Sequence, residues 1–78
     1  DGTPRAVCNG HTNSVVSVCV TQDNKIVSGS FDNTVRIWDM QGNQLAQCNG
    51  HTDLVYSVCV THDNKIVSGS CDNTIRIW

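Results

Sequence analysis

The run Val15–Val20 reads Val-Val-Ser-Val-Cys-Val. Strict alternation puts Val16, Val18 and Val20 on one side of a strand and Val15, Ser17 and Cys19 on the other. Neither side is polar, and a strand with no polar side is expected to be covered on both. Two further runs rich in β-branched residues follow, Lys25–Ser30 and Thr34–Trp38, with Val35 and Ile37 opposed to Arg36 and Trp38 in the second. Asp23-Asn24 and Phe31-Asp32-Asn33 separate the three runs, and Asx pairs between β-rich segments are the composition of tight turns. The pattern therefore predicts three antiparallel strands in a meander.

The same pattern returns forty residues later. Laying residues 1–38 over 41–78 without a gap gives 27 identities in 38 pairs, so the chain reads as two repeats, residues 1–40 and 41–78. A fixed period of forty points to a solenoid, an array or a propeller. Gln44–Cys48 and its counterpart Pro4–Cys8 are short polar and apolar runs read as a fourth, outer strand, which the proline at the start of the first confines to an edge. Each repeat is then a sheet of four short strands, buried on both faces, and such sheets at regular intervals build a β-propeller.

Composition agrees with an all-β class. Valine, isoleucine and threonine number 11, 5 and 7, against two leucines, two alanines and no glutamate. The net charge of −2 comes from seven aspartates, most of them at turn positions. Five scattered basic residues cannot form the positive stripe that a nucleic acid demands, nor a polybasic membrane anchor. No apolar run approaches the roughly 18 residues of a membrane-spanning helix. Four of the five cysteines are two duplicated positions, Cys8 with Cys48 and Cys19 with Cys59, and free thiols in a reducing, cytoplasmic setting are expected rather than a disulfide framework.

The Gly-His pairs at residues 10–11 and 50–51, the valine strand ending in a turn aspartate, Ser-Gly-Ser, Asp-Asn-Thr and the closing Trp-Asp resemble the WD-repeat β-propeller family over the whole chain. Two positions depart from the pattern: the second repeat ends before its final Asp, and Arg5 stands where Leu45 supplies an apolar residue. The resemblance implies a structural hydrogen-bond network of His11, Ser28, Asp32 and Trp38, repeated as His51, Ser68, Asp72 and Trp78. Ser30 is the alternative for the hydroxyl. A three-residue loop with Asn33 left-handed would put Ser28 and Trp38 on one face, and a two-residue loop would put them on opposite faces. The resemblance also implies a partner-binding surface at Ser14, Val16, Phe31, Leu54, Tyr56 and Cys71, and a scaffold for proteins or peptides instead of an enzyme.

Other chemistry is weighed on the same residues. His11, Ser28 and Asp32 have the composition of a hydrolase triad, but a mid-strand serine has no glycine-rich elbow or oxyanion hole beside it. Cys8-x-x-His11 and Cys48-x-x-His51 have zinc-like spacing, yet each histidine has a role within its own repeat, so no metal and no cofactor are expected. A propeller binding a sugar or small ligand between blades is the remaining alternative.

The chain begins at Asp1 without methionine and stops at Trp78 partway through the pattern, which reads as an excised or designed segment of a larger propeller. Val15–Trp38 would be completed by Gln44–Cys48 of the same chain, while the strand ending at Trp78 lacks an outer neighbour and Pro4–Cys8 lacks a sheet. Copies that lend this strand head to tail would form a ring with an even number of blades. A homotetramer with eight blades is favoured, with a trimer of six or a pentamer of ten as the alternatives.

Overall fold

The computed structural model describes residues 6–78. Seven strands form two antiparallel sheets. The first sheet holds β1 (Val15–Val20), β2 (Ile26–Ser30), β3 (Thr34–Trp38) and β4 (Gln44–Asn49) in that spatial order. The second holds β5 (Val55–Val60), β6 (Ile66–Ser70) and β7 (Ile75–Ile77). No helix among the described residues is long and apolar enough to cross a membrane.

Asparagine closes the hairpins. Asn24, Asn33, Asn64 and Asn73 all have positive φ, between 62° and 73°, a region that asparagine tolerates better than most side chains. The Asn33 turn opens a three-residue loop, so that Ser28 pairs with Arg36 and Ile26 with Trp38. This register, decided by the backbone at Asn33, puts Ser28 and Trp38 on one face of the sheet.

The alternation expected along Val15–Val20 is broken. Val15 pairs with Ser30 and Ser17 with Gly29, so Val16 is an extra residue in a bulge. Val15 consequently joins Val18, Val20, Ser28 and Trp38 on a front face. Ser17, Cys19, Val27, Gly29, Val35 and Ile37 form the back. The same bulge recurs between Val55 and Ser57.

The back of the first sheet packs on the front of the second. Val27, Val35, Val55, Val58 and Ile66 are the buried core, with Cys19, Ile37, Cys48, Val60 and Trp78 against it. Gly29 is where the sheets come closest: a Cβ there would lie 2.8 Å from a Val55 methyl and 3.0 Å from one of Val58. The Val58 N–H donates to Ser17 Oγ across the interface at 3.2 Å. At one end the β-turns interlock, Gln22 N–H donating to Asn64 Oδ1 at 3.1 Å and Asn64 Nδ2 to Asp23 Oδ1 at 3.3 Å.

Two expectations are corrected here. Coverage on both faces fails, because two sheets make one interface and each keeps one bare face. Of the outer strand read at Pro4–Cys8, residues 4 and 5 lie outside the described residues, and Ala6–Cys8 are not in a strand. The first sheet already has β4 on that edge, so this segment instead runs against the β3–β4 turn, where a Cβ at Gly42 would meet the Val7 carbonyl oxygen at 2.7 Å.

Candidate functional site

In each repeat four side chains from four separate segments meet. The Gly10-His11 loop brings the imidazole over the front of β2, where His11 Nε2 lies 2.6 Å from Ser28 Oγ and Nδ1 lies 2.8 Å from Asp32 Oδ2. The Trp38 indole N–H donates to Ser28 Oγ at 2.8 Å. One proton order satisfies every group: indole N–H to the serine oxygen, serine O–H to His11 Nε2, and His11 Nδ1–H to the carboxylate. The second repeat has the same geometry, with His51 at 2.7 Å from Ser68 Oγ and 2.9 Å from Asp72 Oδ2, and Trp78 Nε1 at 2.8 Å from Ser68 Oγ.

The aspartates are held by more than histidine. Asp32 accepts the backbone N–H groups of Thr12 and Thr34, each at 3.0 Å, and the Thr34 hydroxyl at 2.5 Å. Asp72 accepts from Thr52 and Thr74 in the same way. Burial raises the Asp32 carboxyl, but the bonds from Thr34, His11 and Thr12 outweigh it and leave the group well below the ordinary carboxylate range. For Asp72 the Thr74 hydroxyl is the leading cause of the same lowering. Sequence reasoning passed over these threonines; the signal was the Asp-x-Thr spacing, in which a turn carboxylate reaches the backbone two residues on. Ser30 stands apart from the indole: its hydroxyl donates to the Asn13 carbonyl and accepts from the Asp32 N–H.

Arg36 extends over the same face. Its Nε donates to Thr34 Oγ1 at 3.2 Å and its Nη1 to Gln44 Oε1 of β4 at 2.9 Å. Nearby, His11, Val15, Val18, Ile26, Ser28, Trp38 and Cys8 line an apolar cavity of about 210 Å³ on the bare front. No cluster of three metal-ligating side chains occurs among the described residues.

The other named positions lie at the loop end. Ser14 and Phe31 are joined by a backbone hydrogen bond of 3.0 Å, as are Leu54 and Cys71 at 3.1 Å. Val16 and Tyr56 occupy the bulges, and the Tyr56 ring turns onto the back of the second sheet, over Gly69.

Two sheets of this register, each carrying the same indole, hydroxyl, imidazole and carboxylate set, match the family model "WD domain, G-beta repeat" at residues 2–39 and 42–78. The chain belongs to the WD40 repeat family. Among solved structures it is similar to the computationally designed Ika4 protein, with a TM-score of 0.87 and 30% identity over 100% of this chain and 48% of that one. The WD40 β-propeller domain of Doa1 gives a TM-score of 0.83 and 31% identity over 88% of this chain and 24% of that one. Curated relatives include the ribosome biogenesis protein WDR12 homolog of Trichoplax adhaerens, 51% identical over 35 residues, which are 42% of this chain and 8% of the relative. Cell division control protein 4 of Candida albicans is 54% identical over 35 residues, 45% of this chain and 5% of the relative. The WD40 chain thus spans a small part of the curated proteins it matches and under half of these two solved structures.

Proposed function

We propose that this WD40 chain is a non-catalytic propeller segment that assembles head to tail with copies of itself and presents its loop face to protein or peptide partners. The observation that carries the reading is a mismatch in coverage between equivalent residues. Val55 and Val58, at the internal interface, are 0% and 6% exposed, whereas Val15 and Val18 at the same places of the first sheet are 50% and 64% exposed. On the back faces, Val35 is 0% exposed and its equivalent Ile75 is 76%. The bare front of one chain is therefore the same kind of surface as the front that is covered, and the bare back likewise. A second copy supplies the missing half of each contact, down to Ser57 Oγ for the Val18 N–H. Such a contact is heterologous, and the wedge shape of propeller blades favours closure over a fibre.

The His-Ser-Asp-Trp set supports a structural role. Ser68, which carries the same hydrogen bonds as Ser28, is fully buried. A network duplicated where no substrate can reach owes its presence to folding. The serine oxygen also accepts an indole N–H, which engages one of its two lone pairs and lowers its nucleophilicity. The apolar cavity at Ser28 occupies the front that the neighbouring copy would cover, so it is part of the assembly surface. Ser14, Val16, Phe31, Leu54, Tyr56 and Cys71 are the proposed partner-facing residues, and five free thiols suit a reducing, cytoplasmic setting.

Two blades per chain require an even ring, and propellers usually have about four to eight blades. Four copies and eight blades are favoured. Native mass spectrometry is expected to give four times the 8.5 kDa chain mass. A monomer persisting at all concentrations overturns the assembly, while three copies preserve the ring and refute the count. At Gly69 the Tyr56 ring lies where Val55 and Val58 lie over Gly29, so the ring has to swing aside for the opposing valines of a second copy to seat.

A further inference from the structure

The backbone nitrogen that follows an asparagine can attack the side-chain carboxamide, the first step of spontaneous deamidation, unless the fold holds it elsewhere. The chain has eight asparagines. After Asn24 and Asn64, the Lys25 and Lys65 N–H groups donate to the Thr21 and Thr61 hydroxyl oxygens at 2.9 and 3.0 Å. After Asn33 and Asn73, the Thr34 and Thr74 N–H groups donate to the Asp32 and Asp72 carboxylates at 3.0 and 2.9 Å. The Ser14 N–H is bonded to Asn13 Oδ1 at 2.7 Å. Asn43 is tied by Nδ2 to Asp39 at 3.1 Å, and Gln44 after it pairs with Trp38 in the β3–β4 ladder. The Asn-Gly pairs at residues 9–10 and 49–50 remain, where glycine also removes the side chain that would crowd the attack.

Asn49 is exposed at the end of β4, and the Gly50 N–H after it makes no hydrogen bond among the described residues. The Gln47 amide donates to Asn49 Oδ1 at 2.8 Å, the atom on which negative charge develops as the carbonyl carbon is attacked. In the first repeat Val7 stands at the place of Gln47 and offers no such donor. We propose that Asn49-Gly50 is a self-modification site, assisted by Gln47, whose isoaspartyl product uncouples the His51 network. The Gly50 nitrogen bonds to Asn49 Cγ, and its proton leaves with the amide nitrogen as ammonia, closing a cyclic imide. Water then opens the ring. Cleavage between the nitrogen and Cγ gives aspartate on an unaltered main chain. Cleavage at the backbone carbonyl gives isoaspartate, with the main chain running through Cβ and Cγ and longer by an atom. Gly50 lies under the Trp78 ring, where even a Cβ would come within 2.7 Å, and the adjacent His51 meets Ser68 and Asp72 at 2.7 and 2.9 Å. A longer chain at this point cannot keep both the glycine seat and the histidine contacts.

The test is incubation of the folded chain at neutral pH and physiological temperature, with peptide mapping by mass spectrometry that locates each converted asparagine and separates aspartate from isoaspartate. Asn49 is expected to convert about tenfold faster than Asn13, Asn24, Asn33, Asn43, Asn64 and Asn73, which react only through local opening. Gln47→Val, an exposed change that gives the second repeat the residue of the first, should slow Asn49 about fivefold in the folded chain, as the loss of one hydrogen bond does. In urea the parent and this variant should convert at the same rate. The isolated isoaspartyl form should melt below the parent, and the aspartyl form with it. Conversion at Asn49 no faster than at the six other asparagines, an unchanged rate in folded Gln47→Val, or an isoaspartyl form as stable as the aspartyl one would each overturn the proposal. The rates in the parent chain need no substitution, so the result stands even if the variant does not fold.

Discussion

Asp32 gathers four hydrogen bonds, from the imidazole of His11, the backbone N–H groups of Thr12 and Thr34, and the Thr34 hydroxyl. Asp72 does the same in the second repeat. Both carboxyls are lowered from their ordinary range, so between the unfolded value of about 3.9 and the native one the unfolded chain binds more protons than the folded chain. Stability contributed by these groups is complete above about pH 5 and is lost as the pH falls through the native values. The thermal midpoint should drop from about pH 5 to pH 2. Asp32→Asn with Asp72→Asn should start lower at pH 7 and fall less steeply, as followed by circular dichroism. Parallel curves for the two proteins would show that other aspartates carry the acid sensitivity.

At the level of elements, the strands pair through register and the sheets pair through Gly29. The methyl groups of Val55 and Val58 fill the space over this residue, so a Cβ has nowhere to go without moving a sheet. Gly29→Ala should cost about 1–3 kcal/mol, as overpacking of a close contact does. At Gly69 a Cβ would meet only the Tyr56 ring, at an ordinary contact distance of 3.5 Å. Gly69→Ala, measured at concentrations where the chain is monomeric, should change stability by less than about 1 kcal/mol. Urea unfolding of the two variants separates the cases, and equal losses would place the inter-sheet contact elsewhere.

For the whole molecule, one interface between two sheets leaves Val15, Val18, Val20, Ile75 and Ile77 exposed. A chain of this size buries only about 60% of its unfolded surface, so covering those residues by association would add to a small margin. Stability linked to association depends on concentration. The thermal midpoint should therefore rise over a hundredfold increase in protein concentration, in differential scanning fluorimetry. A constant midpoint would mean that the bare faces remain bare in solution.

Much of this molecule was legible as local pattern. Val15–Val20 and Thr34–Trp38 form strands over those spans, β2 begins one residue later than Lys25, and β4 extends one residue past Cys48. Those elements follow from β-branched runs between Asx turns, which act within a few residues of chain. Three features were settled only in three dimensions. The bulge at Val16 depends on how β1 meets β2, since an alternating run of valines reads equally well in either register. The meeting of Ser28 with Trp38 rested on the loop length, which the left-handed Asn33 decided. Whether Ala6–Cys8 pairs depends on a free strand edge within its reach, which no local pattern records, and the segment lies in no strand. Apolar pattern records which faces are to be covered, because that is a property of each residue's own surface. What covers them is a property of the neighbours, and only the packing of the two sheets showed that each has one face covered and one still bare.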